Sequence, residues 1–345
     1  MLINQKRSGV NSVKVLVTGA AGFIGSKVSE SLLKSGHSVT ALDNFNDYYS
    51  SDLKRARVNS LLTPTGLEVL DCDISERGLM QQIIGTNQPE VILHFAAQAG
   101  VRLPNDQISK YVDSNLVGFS NVLQSAVQAG IPKLVYASSS SVYGNSVNSP
   151  FSEKDLSISP ISFYGATKLA NELLAPTLIK NSETKARGLR FFTVYGPWGR
   201  PDMAYFRLIN AAQNKSQFHM FGDGSVIRDF TYVDDVVNSI SQLMVDLDSR
   251  SGGFHDVVNV AGGKPSSLTQ MIEEISKQLG EKISIDKSGM HVNDVNSTAA
   301  DTSYLSSLTT KIPSTSLEEG ISKVIEWAKQ SSVQQHLKAW VDSSI

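Results

Sequence analysis

Val13-Lys14-Val15-Leu16-Val17-Thr18-Gly19-Ala20-Ala21-Gly22-Phe23-Ile24-Gly25 is the stretch whose reading decides the fold. A β-rich run ends at a glycine, and Gly19, Gly22 and Gly25 lead into a segment of helical spacing, Phe23 to Ser35. Strand, glycine turn and helix, in that order, form a loop for a dinucleotide. Gly19 permits the tight turn, Gly22 lets the backbone approach a pyrophosphate, and Gly25 lets the helix pack closely on the strand. The helix N-terminus then turns free N–H groups and a positive dipole end toward the phosphates. A second strand, Ser38 to Leu42, runs into Asp43. A carboxylate there accepts hydrogen bonds from a ribose 2′-OH and repels a 2′-phosphate, which predicts NAD over NADP. Asn44 follows it, where an Arg would favour the phosphate.

The pattern continues outward from this unit. Val91 to Phe95 and Lys133 to Ala137 are apolar runs of strand length, and Tyr111 to Ala129 between them has helical character. Strands alternating with helices predict a parallel sheet covered on both faces. Asp73-Ile74 follows the third strand region, where an adenine would lie; a turn aspartate is the other reading. The small side chains of Phe95-Ala96-Ala97 let a cofactor lie close to the fourth strand. The second half predicts strands at Gly188–Thr193 and Val257–Val260, and helices near Val233–Leu247, Leu268–Leu279 and Leu317–Lys329. No linker divides the chain, so two interleaved lobes are expected rather than two separate beads. The fold class is α/β: a Rossmann-type doubly wound parallel sheet with a smaller C-terminal α/β lobe.

Composition sets bounds. The chain has 345 residues, with 31 Lys+Arg against 33 Asp+Glu, and its net charge of -2 disfavours a general nucleic-acid binder. A single cysteine, Cys72, excludes an intramolecular disulfide framework and a cysteine-based metal cluster, and no metal site is expected. No apolar run approaches the roughly 18 residues of a membrane span. Residues 1–12 are polar and lack the apolar stretch of a signal peptide, so we expect a flexible tail and a cytoplasmic protein.

Tyr164-Gly165-Ala166-Thr167-Lys168 sets a tyrosine and a lysine at i and i+4, on one face of a helix. A nearby ammonium favours phenolate, so the tyrosine can serve as a base. Alone this spacing is weak, and a surface pair is the plain alternative. Behind a dinucleotide loop, and after a fifth strand ending in Ala137-Ser138-Ser139-Ser140-Ser141, it points to a hydroxyl-oxidising site.

With these residues in hand, the chain resembles the extended short-chain dehydrogenases/reductases that act on nucleotide sugars, from Val13 to about Lys329. Within that family it is similar to the UDP-glucuronate 4-epimerases. The likeness lies in Asp43-Asn44-Phe45-Asn46-Asp47-Tyr48-Tyr49, in Ala96-Ala97-Gln98-Ala99-Gly100-Val101-Arg102 and in the long block Arg190 to Ala204. The resemblance implies Tyr164 as base, Lys168 as its partner on the nicotinamide ribose, and Ser139 as the proton-sharing hydroxyl, with Ser140 and Ser141 able instead to touch a sugar carboxylate. It implies cofactor contacts from Phe23, Ile24, Asn44, Asn46, Ile74, Gln98, Asn115 and Val194, besides the glycines, Asp43, Asp73 and Phe95-Ala96-Ala97. For a UDP-sugar it implies Arg228 on the diphosphate with Arg200 as second candidate, Asp294 near the uridine ribose, and contacts from Arg102 and Thr193. Phe218 either faces the uracil or belongs to the core. Residues 13–190 are then the NAD-binding domain and 191–345 mainly the nucleotide-sugar lobe. A homodimer through paired helices, one starting at Tyr164, is implied by the family.

The neighbouring residues choose among reactions. A 4,6-dehydratase needs a carboxylate beside the catalytic hydroxyl, and a decarboxylase of this kind carries Glu just after its Ser/Thr; here the run is serine. An epimerase needs only room for the keto sugar to turn. Thr193 stands where hexose epimerases of the family carry Asn, and a hydroxyl there, with Ser140 and Ser141, suits a uronate. Expected is NAD-dependent 4-epimerisation of UDP-glucuronate to UDP-galacturonate. The alternatives are epimerisation of UDP-glucose or of an N-acetylated UDP-hexosamine or uronate, decarboxylation of UDP-glucuronate, and a non-catalytic NAD-bound sensor.

Overall fold

The computed structural model describes residues 12–146, 148–289 and 297–343. The first half builds β1 (Lys14–Thr18), α1 (Phe23–Lys34), β2 (Ser38–Asp43), α2 (Ser51–Arg57), β3 (Val69–Asp71), α3 (Leu79–Asn87) and β4 (Val91–His94). Then come α4 (Ile108–Tyr111), α5 (Phe119–Gln128), β5 (Lys133–Ser139), α6 (Phe163–Ile179) and β6 (Lys185–Phe191). The second half adds β7 (Thr193–Tyr195), α7 (Ala204–Asn214), β8 (Gln217–Phe221), β9 (Ile227–Arg228), β10 (Phe230–Tyr232), α8 (Val233–Asp246) and β11 (His255–Val260). It closes with β12 (Ser266–Ser267), α9 (Leu268–Leu279), β13 (Ser284–Ser288), β14 (Ser297–Thr298), α10 (Ser303–Leu308), α11 (Leu317–Ala328) and α12 (Ser331–Asp342).

Seven strands form the central sheet in the order β11-β6-β5-β4-β1-β2-β3, and every pair in it is parallel. The apolar runs of β1, β4 and β5 follow from that position. In β1, Val15 and Val17 enter the core on one face while Leu16 enters the core on the other. A strand buried on both faces cannot alternate apolar with polar. The first core runs on through Phe206, Trp327 and Trp340, so the C-terminal helices are packed into the same apolar body as the sheet. β11 comes from the second half of the chain yet completes the sheet beside β6, with His255 opposite Ala186.

Three elements differ from the sequence reading. The expected strand Gly188–Thr193 is split: β6 ends at Phe191 in the large sheet, and β7 starts at Thr193 and pairs with β10 in another. A strand that changes sheets carries side chains from the sheet edge toward the second lobe. The expected helix from Tyr111 to Ala129 is not uniformly α, because Val112–Gly118 forms wider π turns. There Gly118 lies so close to Ile74 that a Cβ would meet the Ile74 Cδ1 atom at 2.6 Å. The short helix α2 was not expected at all. Its sequence, SDLKRAR, has no apolar stripe, because two of its buried side chains are Lys54 and Arg57.

Candidate active site

The carboxyl ends of β1, β2, β4 and β5 open onto one cavity of about 590 Å³, at the point where strand order reverses between β1 and β4. In open α/β sheets ligands bind at that reversal. The glycine loop forms one wall. A Cβ on Gly19 would meet the Ala96 nitrogen at 2.6 Å, and one on Gly25 would meet the Gly19 carbonyl oxygen at 2.1 Å. Gly22 is the N-cap of α1 and offers no side chain to its amides. The result is a close-fitting backbone cradle with free N–H donors, the form a dinucleotide diphosphate requires. Phe23, Ile24, Asn44, Asn46, Ile74, Phe95, Ala96 and Ala97 line the same space.

Asp43 ends β2 and is oriented by the backbone: its Oδ2 accepts from the Ala21 N–H at 3.0 Å and its Oδ1 from the Phe45 N–H at 2.8 Å. Asp73 does not line the cavity; its carboxylate accepts from the Asn44 amide at 2.8 Å and so holds a residue that does. Gln98 and Asn115 are buried and also stay out of the cavity. The Asn115 Oδ1 accepts from the Gln98 N–H at 2.8 Å, and its Nδ2 donates to the Gln98 carbonyl at 3.2 Å and to Thr167 Oγ1 at 3.0 Å. These two residues brace β4's exit against α6 from behind.

The opposite wall is built by β5 and α6. Ser162 caps α6, accepting from the Gly165 N–H at 3.0 Å. A Cβ on Gly165 would meet the Ser141 carbonyl oxygen at 2.5 Å, so the glycine lets the helix start pressed against the serine run. Tyr164 is thereby brought beside Ser139, whose hydroxyl acts to lower the phenol's pKa. Ser139 Oγ also accepts from the Ser141 N–H at 3.1 Å, which shapes the turn carrying Ser140 and Ser141. Lys168 is buried, donates to the Ala137 carbonyl at 2.9 Å, and lies 5.8 Å from the centre of the Tyr164 ring.

The electrostatics differ from expectation at one point. Burial raises the Tyr164 phenol above its ordinary value, and the groups opposing that rise are Arg200 and the Ser139 hydroxyl, not Lys168. The lysine's own ammonium is lowered to about 8 by burial, with Glu172 acting against the shift. A lysine so desolvated still carries its proton at neutral pH, but with little in reserve. Glu172 is itself held by Arg190, through Nε to Oε1 at 2.9 Å and Nη2 to Oε2 at 2.6 Å, and accepts from Ser138 Oγ at 2.5 Å.

The third wall comes from the second half of the chain. Thr193 and Val194 of β7, Arg200, Phe218 of β8 and Arg228 of β9 all line the cavity, as does Arg102. Arg200 is paired with Asp202, Nη2 to Oδ2 at 2.5 Å and Nε to Oδ1 at 3.0 Å, and Tyr48 donates to the same carboxylate at 3.3 Å. Phe218 is buried and lies 5.7 Å beneath the guanidinium of Arg207. Asp294 lies outside the described residues. The cavity is also lined by residues that sequence reasoning left without a role: Tyr48, Lys54, Asp202, Arg207, His219 and Phe221. Tyr48 and Asp202 stood inside the quoted motif blocks, which were the signal for them. Nothing local marked Lys54 or Arg207, whose place depends on how α2 and α7 pack. Among the described residues no cluster of His, Cys, Asp or Glu is arranged to hold a metal ion. No helix among them is long and apolar enough to cross a membrane.

Comparison with known proteins matches this arrangement. The model of the NAD dependent epimerase/dehydratase family matches residues 15–261. Protein CapI of Staphylococcus aureus is 39% identical over 334 residues, covering 91% of this chain and 98% of its own. A probable UDP-glucuronate 4-epimerase of Rhizobium meliloti is 37% identical over 339 residues, covering 94% and 99%. Among solved structures, the Bacillus cereus UDP-glucuronic acid 4-epimerase in complex with UDP-glucuronic acid and NAD superposes with a TM-score of 0.84 at 33% identity, over 92% of this chain and 99% of that one.

Proposed function

The chain belongs to the NAD-dependent epimerase/dehydratase family, and we propose from that premise that it interconverts UDP-glucuronate and UDP-galacturonate at C4 of the sugar. It is an NAD-dependent isomerase. The observation that carries the choice of substrate is the wall on which Tyr164, Ser139, Ser140, Ser141 and Thr193 meet: a phenol base beside hydroxyls, with no carboxylate in the serine run. We assign the cofactor to residues 13–190 and the nucleotide sugar mainly to 191–345. Held by the backbone cradle of Gly19, Gly22 and Gly25 and by Asp43, NAD would supply the reversible hydride acceptor for the sugar's C4.

The chain's own groups do the rest. Tyr164, as phenolate, takes the proton of the C4 hydroxyl, and the Ser139 hydroxyl beside it shares that proton. Lys168, charged and tied to the Ala137 carbonyl, is placed on the Tyr164 side of the cavity, where it would hold the nicotinamide ribose. Arg228, and Arg200 once it exchanges Asp202 for the ligand, hold the diphosphate, because the planar fork suits phosphate oxygens. The keto sugar turns about that anchor. Thr193, Ser140 and Ser141 hold its carboxylate near the ketone plane, where the bond to CO2 overlaps poorly with the carbonyl and decarboxylation is slow. A hydrogen bond to a charged group contributes roughly 1.5–3 kcal/mol, and each 1.36 kcal/mol of barrier is about tenfold in rate, so one such bond separates the outcomes by about one to two orders of magnitude. Phe218 and Arg102 complete the nucleotide pocket.

We read the protein as a cytoplasmic homodimer. The support is the outer face of α6, where Leu173 is 64% exposed and Phe163, Leu174 and Leu178 are exposed beside it, next to Val117. Purified protein incubated with UDP-glucuronate is expected to yield UDP-galacturonate with little UDP-pentose, followed by mass and by NMR of the C4 proton. A product lighter by the mass of CO2 would make the enzyme a decarboxylase. Turnover of UDP-glucose with no reaction of the uronate would overturn the assignment of Thr193.

A further inference from the structure

Arg57 is a fully buried cation at the end of α2, and no carboxylate among the described residues pairs with it. Its donors go elsewhere. Nε donates to the Trp198 carbonyl at 2.7 Å and Nη2 to the Gly199 carbonyl at 2.9 Å. Nη1 donates to the Ala21 carbonyl at 3.1 Å and to the Tyr49 phenol oxygen at 2.6 Å, and the guanidinium lies 5.2 Å from the centre of that tyrosine ring. One planar group therefore joins the loop between Gly19 and Gly22 to a turn that lies 141 residues beyond Arg57 in sequence. A buried charge without a counter-charge is costly unless its donors are all well placed. Here the fork is used on three carbonyls and a phenol.

The turn it grips has little freedom of its own. Trp198 sits at φ +65°, in the left-handed region that a bulky residue rarely adopts. A Cβ on Gly199 would meet the Tyr205 hydroxyl at 1.4 Å. The next residue is Arg200, which the turn delivers into the cavity. The Trp198 ring packs at 5.3 Å from Trp327 and 6.2 Å from Trp340, so the three tryptophans of the chain report on this one place.

We propose that Arg57 is a positioning residue that couples the two halves of the site. When the glycine loop is ordered around its dinucleotide, the Ala21 carbonyl is fixed, the guanidinium is fixed with it, and the 198–199 turn holds Arg200 in the position that receives the nucleotide diphosphate. By linkage, binding of either ligand then strengthens binding of the other to the same extent. The inference rests on the nucleotide-sugar reading for the identity of the second ligand, not for the reaction catalysed.

Arg57→Lys keeps the charge and removes the fork. In the holoenzyme variant we expect NAD retention through gel filtration to fall and the dissociation constant for UDP, read from tryptophan fluorescence, to rise about tenfold, the effect of losing one charge-assisted hydrogen bond. Added UDP should slow the loss of NAD from the wild-type holoenzyme on extended dialysis and no longer do so in the variant. A variant that melts lower but keeps both affinities shows Arg57 to be structural only, and overturns the proposal. If Arg57→Lys does not fold, amide hydrogen exchange on the wild-type holoenzyme decides: saturating UDP must protect residues 19–22 as well as 198–200. Protection of one segment alone overturns the coupling. Failure of wild-type protein to bind UDP would sink the functional reading and the coupling together. Absent epimerisation with UDP still bound would sink the functional reading alone.

Discussion

At the scale of single residues the site works by desolvation set against a few placed charges. Burial raises the Tyr164 phenol, and Arg200 and Ser139 work against it. Two groups from outside α6, at the end of β5 and in the turn after β7, therefore offset part of what burial does to this phenol. Tyr164→Phe should keep the fold and retain NAD but lose turnover by on the order of 10² to 10⁴, the usual worth of a positioned general base. Turnover within a few-fold of wild type, measured with UDP-glucuronate, would remove Tyr164 from the mechanism. The Tyr164/Lys168 pair was legible because i and i+4 share a helix face. The effect of Arg200 on Tyr164 was not, since nothing local relates positions so far apart.

At the scale of elements, the strand–glycine–helix unit depends on contact between backbones. Gly25→Ala sets a Cβ at 2.1 Å from the Gly19 carbonyl oxygen, an atom that no rotamer change can move. The loop must shift, and the variant should lose NAD on gel filtration while its far-UV spectrum is preserved. Gly85→Ala is the matching control: this glycine lies inside α3, and its Cβ meets nothing within 4 Å. It should retain NAD and gain roughly 0.5–1 kcal/mol of stability, from helix propensity. Equal NAD retention by the two variants would refute the close-packing account of Gly25. This element was readable from sequence because its geometry is local. The split between β6 and β7 and the helix α2 were not, because partner strands and buried cations decide them.

At the scale of the whole molecule, burial makes stability depend on pH. His94 closes β4 in the core, hydrogen-bonded to Thr18 Oγ1 at 2.7 Å, and burial followed by the charge of Lys168 lowers its imidazole to about 3. Between about 6.5 and about 3 the unfolded chain binds a proton at this histidine and the folded chain does not. Stability therefore falls as pH falls through that window, with a slope from this group approaching about 1.4 kcal/mol per unit. Above pH 6.5 the group contributes no slope. Thermal melts of His94→Asn should show a shallower acid limb than wild type, and superimposable limbs would contradict the assignment. The outer face of α6 gives a second test at this scale. Leu173→Glu should convert a dimer to a monomer by light scattering; an unchanged mass, or a monomeric wild type, would remove that face as the interface.

The sequence by itself determined what depends on neighbours a few residues apart. The glycine cradle, the carboxylate at the end of the second strand, the tyrosine and lysine on one helix face, and the alternation that builds a parallel sheet all follow from spacing and side-chain type. Tertiary structure alone decided which distant groups meet. It brought Arg200 toward Tyr164, turned Gln98 and Asn115 onto each other instead of into the cavity, and buried Arg57 where its fork joins the cofactor loop to the 198–199 turn. The reason is physical: backbone geometry and periodicity are local properties of a chain, whereas desolvation, ion pairing and the close approach of remote carbonyls exist only after the lobes have packed.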